Sequence, residues 1–140
     1  MSAPTLLLTG HASTILCSKF SPDGEILASA GFDKDILLWK VYDDCDNYSV
    51  LKGHKNAILE LHWSTDGNKI YTSSADKSVS VWDMNQHTRF KKLTGHTSFV
   101  NSCHPARRGP ELVISGSDDC TAKIWDLRQK SFVESFDSKY

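Results

Sequence analysis

Four residue types return along this chain in fixed register. His11, His54 and His96 stand 43 and 42 residues apart, and Trp39, Trp82 and Trp125 stand 43 and 43 apart. Asp33, Asp76 and Asp119 keep the same period six residues before the tryptophans, and a small hydroxyl residue precedes each aspartate by four: Ser29, Thr72 and Ser115. Agreement of four positions over three periods makes this a unit built three times, and any account of the chain has to begin from that repetition.

Within each unit, short runs of alternating or β-branched residues are separated by turn residues. Unit one reads Ile15–Phe20, the turn "SPDG", then "EILASA", "GFDKD" and "ILLWKV"; unit two reads "ILELHW", "STDG", "NKIYTSS", "ADKS" and "VSVWDM". Unit three reads "VNSC", "HPARRGP", "ELVISGS", "DDCT" and "AKIWDL", its extra residue falling around Arg107-Arg108-Gly109. Further strands are expected at "YSVLK", "RFKKLT" and "SFVESF", and a leading strand "LLLT" opens the chain. Gly24 and Gly67 supply the positive φ that such hairpin turns need, and Pro22 presets a corner. No stretch has useful helical periodicity, so the fold is all-β with four short antiparallel strands per repeat.

Forty-odd residues, four strands and a Gly-His…Trp-Asp frame resemble the WD40 repeat, the blade of a β-propeller. The resemblance covers roughly residues 6–136, with repeats at 6–47, 48–88 and 89–136, the last including a closing outer strand. Lys40 departs from it, standing where the other units have Asp83 and Asp126. The resemblance implies that in each unit the imidazole bonds the aspartate of a tight turn, with hydroxyl and indole completing the chain. That makes structural tetrads of His11–Ser29–Asp33–Trp39, His54–Thr72–Asp76–Trp82 and His96–Ser115–Asp119–Trp125. A hydrolase triad uses the same residue types, but it needs one nucleophile against one imidazole with an oxyanion hole beside it. Three equivalent sets answer a need that every blade shares, so neither catalytic residues nor metal ligands are expected among them.

Composition excludes other classes. With 16 Lys+Arg against 17 Asp+Glu, the net charge of −1 provides no global field for nucleic acid or anionic membrane. Cys17, Cys45, Cys103 and Cys120 show no metal-ligand spacing and read as reduced thiols. The absence of a membrane-length apolar run and of a signal sequence leads to the expectation of a soluble, intracellular protein.

On WD40 relatives, partners dock on the face carrying the Gly-His loops, three and five residues after the histidine and one before the tetrad aspartate. The matching positions are Thr14, Leu16 and Phe32, then Ala57, Leu59 and Ala75, then Phe99, Asn101 and Asp118. Phe32 and Phe99 stand out, because aromatic anchors carry most of the energy of such contacts. Arg107 and Arg108 form a basic loop suited to RNA or an acidic partner, with Lys91 and Lys92 extending it from an outer strand. "DDCDNY" at 43–48 is the acidic counterpart. Among the other histidines, His62 is expected at solvent or a blade interface, His87 in a turn, and His104 in the loop of unit three.

Three stretches go beyond the generic repeat: "LASAGFDKDILLWKVYDDCDNYSVLKGH", "TGHTSFVNSCHPARRGPELV" and "SGSDDCTAKIWDLRQK". They resemble WD-repeat subunits of spliceosomal ribonucleoproteins. This implies a non-catalytic, nuclear interaction scaffold of pre-mRNA splicing, with protein partners, local RNA contact, and neither cofactor, membrane nor small-molecule substrate. The alternative is a nuclear or cytosolic WD40 adaptor of a ubiquitin ligase or chromatin assembly. Closed propellers have about four to eight blades, so three blades are expected to be part of a longer, seven-bladed ring or to close a ring by assembly.

Overall fold

The structure, a computed structural model, describes residues 6–42, 46–129 and 132–137. Twelve strands form three four-stranded antiparallel sheets, and the described residues contain no helix. The first sheet takes β1 (Ile15–Phe20), β2 (Ile26–Gly31), β3 (Ile36–Lys40) and β4 (Asn47–Leu51) in chain order. The second takes β5 (Ile58–Trp63), β6 (Lys69–Ser74), β7 (Ser78–Asp83) and β8 (Thr88–Thr94), and the third β9 (Val100–Pro105), β10 (Leu112–Ser117), β11 (Thr121–Asp126) and β12 (Phe132–Asp137). Strands β1, β5 and β9 pack beside one another, so the sheets are blades whose outer strands splay apart. Blade and sequence repeat are offset, the first two blades taking their outermost strands, β4 and β8, from the stretches leading to the next Gly-His.

The two β1–β2-type turns of identical pattern share one mechanism. Ser21 Oγ donates to Asp23 Oδ1 at 2.5 Å and accepts from the Ile26 N–H at 3.1 Å, while Ser64 does the same with Asp66 and Lys69 at 2.6 and 3.0 Å. Gly24 and Gly67 follow at φ 75°, the left-handed conformation where glycine avoids the Cβ penalty.

The apolar cores lie between blades. Ala28, Ala30, Ile36 and Leu38 of the first blade meet Ile58, Leu61, Ile70 and Trp82 of the second. Tyr71, Val79, Val81 and Leu93 of the second meet Val100, Cys103, Val113 and Trp125 of the third. Polar ties cross the same seams: Trp63 Nε1 donates to Lys19 O at 3.0 Å, and Lys69 Nζ lies 2.9 Å from Glu111 Oε1.

Two placements differ from expectation. Residues 6–9 lie outside any strand, because none of the described strands runs beside them; Leu6 and Leu8 instead line a cleft with Phe20, Leu27 and Trp39. His104 and Pro105 are not loop but the end of β9, paired with Ile114 and Val113. The inserted residue of unit three enters only after Pro105, so the ladder runs two positions further than expected. Cys17, Cys103 and Cys120 are free thiols; Cys45, with Asp43 and Asp44 of the acidic stretch, lies outside the described residues.

Candidate functional site

The recurring quartets are continuous hydrogen-bond chains. In the second blade, Trp82 Nε1 donates to Thr72 Oγ1 at 2.9 Å, Thr72 Oγ1 lies 2.6 Å from His54 Nε2, and His54 Nδ1 lies 2.8 Å from Asp76 Oδ2. The third repeats this through Trp125, Ser115, His96 and Asp119 at 2.7, 2.7 and 2.8 Å. The first does so through Trp39, Ser29, His11 and Asp33 at 2.9, 2.6 and 2.5 Å. A carboxylate only accepts, so the imidazole donates from Nδ1 and receives the hydroxyl proton at Nε2. The order of donation is indole, hydroxyl, imidazole, carboxylate.

Each aspartate also secures the turn it sits in. The residue after it is left-handed and is not glycine: Lys34 at φ 71°, Lys77 at 73° and Cys120 at 69°. That conformation costs an L-residue about 1–2 kcal/mol. Asp76 Oδ2 and Asp119 Oδ2 accept from the N–H after the histidine, Lys55 at 3.1 Å and Thr97 at 3.0 Å. Their Oδ1 atoms accept both N–H and hydroxyl of Ser78 (3.0 and 2.5 Å) and of Thr121 (2.9 and 2.5 Å). Burial raises the Asp76 carboxyl pKa, but bonds from His54 and Ser78 outweigh it and hold the group well below the usual carboxylate range. At Asp119, Thr121 and His96 overcome the same desolvation. The first blade lacks this second clamp: the matching residue is Asp35, and Asp33 Oδ1 is buried without a partner. The register of Ser78 and Thr121, two after the aspartate, carried that signal in the sequence, and Asp35 was its exception.

The quartets do not converge. Each lies within its own blade, and no group of three or more potential metal-binding side chains gathers among the described residues. Cys17 is pushed up to about 12 by burial, with Glu60 adding to the effect. Burial likewise drives Cys103 far up, so neither thiol supplies a thiolate nucleophile near neutral pH.

The loop positions divide sharply. In every blade the N–H before the tetrad aspartate bonds the carbonyl three after the histidine: Phe32 to Thr14, Ala75 to Ala57, Asp118 to Phe99, at 2.9, 2.9 and 3.0 Å. Backbone geometry is therefore the same, and side chains alone set the surface. Phe32 and Phe99 are 51% and 46% exposed, whereas Ala57 and Ala75 are buried at 5% and 8%. The two alanines are a correction to the expected contact set, since a methyl group is too short to rise above its loop. Exposed phenylalanines thus stand on the first and third blades, on either side of the buried alanine pair of the second. Thr14, Leu16, Asn101 and Asp118 are exposed, Leu59 is half-buried, and Asn101 hydrogen-bonds Asp118.

At the opposite, hairpin end, Arg107 and Arg108 are exposed and form no ion pair among the described residues. Lys91 does not extend them: its Nζ donates to Leu127 O at 2.7 Å and to Gln129 O, tying the second blade to the third. Lys92 is exposed and His87 occupies a turn at φ 54°. Lys40, in place of the aspartate, sits over the Tyr48 ring at 5.3 Å. Sequence reasoning missed the caps over the tetrad indoles. The Arg89 guanidinium lies 5.2 Å from the Trp82 ring, and Phe132 packs edge-on against Trp125 at 5.6 Å.

Comparison with known proteins agrees with this architecture. The WD domain, G-beta repeat family matches residues 2–40, 45–83 and 87–126. Over 140 residues the chain is 68% identical to the U5 small nuclear ribonucleoprotein 40 kDa protein of Mus musculus, spanning all of this chain and 39% of that protein. It is 41% identical to the pre-mRNA-splicing factor cwf17 of Schizosaccharomyces pombe, again over its whole length and 41% of that protein. The chain thus spans about two-fifths of the length of these relatives. The crystal structure of the RRP9 WD40 repeats superposes with a TM-score of 0.85 at 27% identity, covering 94% of this chain and 41% of that one. Three blades with matching tetrads and three matched repeats lead to one conclusion: the chain belongs to the WD40 family of WD-domain, G-beta repeat proteins.

Proposed function

We propose that the chain forms part of a non-catalytic WD-repeat scaffold in a spliceosomal ribonucleoprotein, acting in pre-mRNA splicing in the nucleus. The observation that carries this reading is the 68% identity, over every residue of the chain, to a protein named as a U5 ribonucleoprotein component. Similarity to a fission-yeast splicing factor, also over the whole chain, supports it. The tetrads act as clamps: each spans residues separated by about twenty positions, holds a left-handed turn, and buries its imidazole and carboxylate too deeply for a substrate to reach. His54 and His96 side chains, at 0% and 1% exposure, illustrate this.

Partner contact is assigned to the Gly-His end. Phe32 and Phe99 are exposed aromatics on the blades either side of the buried Ala57–Ala75 pair, the residue type that anchors a partner segment. The repeat boundaries proposed here are 6–47, 48–88 and 89–136.

Affinity purification of the tagged intact protein from nuclear extract, with quantitative mass spectrometry, tests the reading. Recovery of U5 and other spliceosomal proteins, reduced by Phe32→Ser plus Phe99→Ser, supports it. Enrichment of ubiquitin-ligase or chromatin subunits in their place would refute it and favour an adaptor.

A further inference from the structure

At the hairpin end, the inner strands of the three blades place Lys19, His62 and His104 at one register. Their cross-strand partners are Ala28, Tyr71 and Ile114, spaced by the blade period. The His62 and His104 rings meet at 4.7 Å, tilted by 54°. Each is oriented by an acceptor: Glu60 Oε1 lies 2.6 Å from His62 Nε2, and His104 Nδ1 donates to Pro105 O at 2.8 Å. The bonded nitrogens leave His62 Nδ1 and His104 Nε2 without a partner among the described residues. Beside them opens a cleft of ≈ 310 Å³ whose lining includes Pro22, His62, Trp63, Thr65, His104 and Arg107.

This combination is more specific than a basic loop. Trp63 is locked by its bond to Lys19 O, and Pro22 and the two imidazoles give it flat neighbours. The volume sits at the small end of ligand pockets, roughly 300–1,000 Å³. Lys19, Arg107 and Arg108 are exposed cations without ion pairs among the described residues. Of the nearby acids, Glu111 pairs with Lys69 and Glu60 bonds His62, while Asp66 and Asp23 stay ionised at the turns, bonded to Ser64 and Ser21. Flat ring surfaces beside unpaired cations are what single-stranded nucleic acid uses, bases stacking while the backbone follows the charge. An acidic peptide would use the cations and leave the rings idle.

We propose that the hairpin end of the second and third blades binds single-stranded RNA, one base entering the cleft against Trp63 and the His62–His104 pair while its phosphates lie on Lys19, Arg107 and Arg108. The proposal rests on the ribonucleoprotein reading only for the choice of RNA as the polymer.

Fluorescence anisotropy of a labelled single-stranded oligouridylate with the intact protein tests it. Three phosphate contacts predict a slope of log K against log salt of about −2, and hence a loss of about fifteenfold between 50 and 200 mM salt. Arg107→Ala plus Arg108→Ala should cut the slope to about −0.7, and Arg107→Lys plus Arg108→Lys should restore it. His104→Ala, an exposed position, should weaken binding by about fivefold or more without changing the slope, as loss of one stacked base would. No RNA binding, or binding indifferent to these changes, overturns the proposal. A slope response with no effect of His104→Ala overturns the cleft, and equal binding of polyglutamate overturns RNA as the ligand. Each result is independent of whether splicing proteins co-purify.

Discussion

The first blade should gain stability from a single hydroxyl. Asp76 and Asp119 each receive an N–H and an O–H bond on Oδ1 from the residue two positions on, while Asp33 Oδ1 is buried with none. The matching residue, Asp35, has no proton to give and sets a like charge two positions away. Asp35→Thr supplies the donor one residue before β3, where the other blades carry Ser78 and Thr121. A hydrogen bond to a charged acceptor contributes about 1.5–3 kcal/mol. Against it stands the Asp35–Lys52 pair at 3.6 Å, whose lysine side chain is 74% exposed; such a surface pair contributes at most about 1 kcal/mol. The net expectation is a gain of about 1–2 kcal/mol, or about 3–7 °C in melting temperature for a chain of this size. Asp35→Val is the control, because it matches threonine in shape and also abolishes the charge and the lysine pair. Differential scanning calorimetry of the two variants isolates the hydroxyl. If threonine and valine variants melt together, the orphaned oxygen is not what distinguishes this blade.

Asp76→Ala leaves the buried His54 Nδ1–H without its acceptor and should cost about 1–3 kcal/mol, read as an earlier unfolding transition by tryptophan fluorescence; a melt matching the parent would refute the clamp. Gly31→Ala drives a Cβ to 2.1 Å from Thr14 O and 2.8 Å from Ile15 Cα, both backbone at the start of the paired strand and just before it; a loss at or above the upper end of about 1–3 kcal/mol is expected by denaturant titration. Gly109→Ala meets nothing within 4 Å at φ 79° and should cost only about 1 kcal/mol. The depressed pKa values of Asp76 and Asp119 make their contribution complete above the unfolded carboxylate value of about 3.9, and it declines as pH falls below that toward their folded values. Unfolding free energy should therefore decrease with acidification from about pH 5 downward, and Asp76→Asn should flatten that dependence.

What the sequence alone determined is whatever a blade does within itself. Tetrad partners sit 18, 22 and 10 residues apart in the first two blades, so each blade needs the same types at the same spacing, and repetition makes them visible. The four-strand unit and the turns at Gly24 and Gly67 follow from that, and the resemblance to WD40 repeats supplied the pairing of His with Asp. Contacts between blades leave no such trace, because most join unlike residues about one period apart, as Trp63 to Lys19 and Lys69 to Glu111 do. Only the packed structure placed His104 on a strand against His62, committed Lys91 to the third blade, and buried Ala57 and Ala75 between exposed phenylalanines. Those outcomes depend on which side chains happen to face each other across a seam, and a period in one dimension carries no record of that.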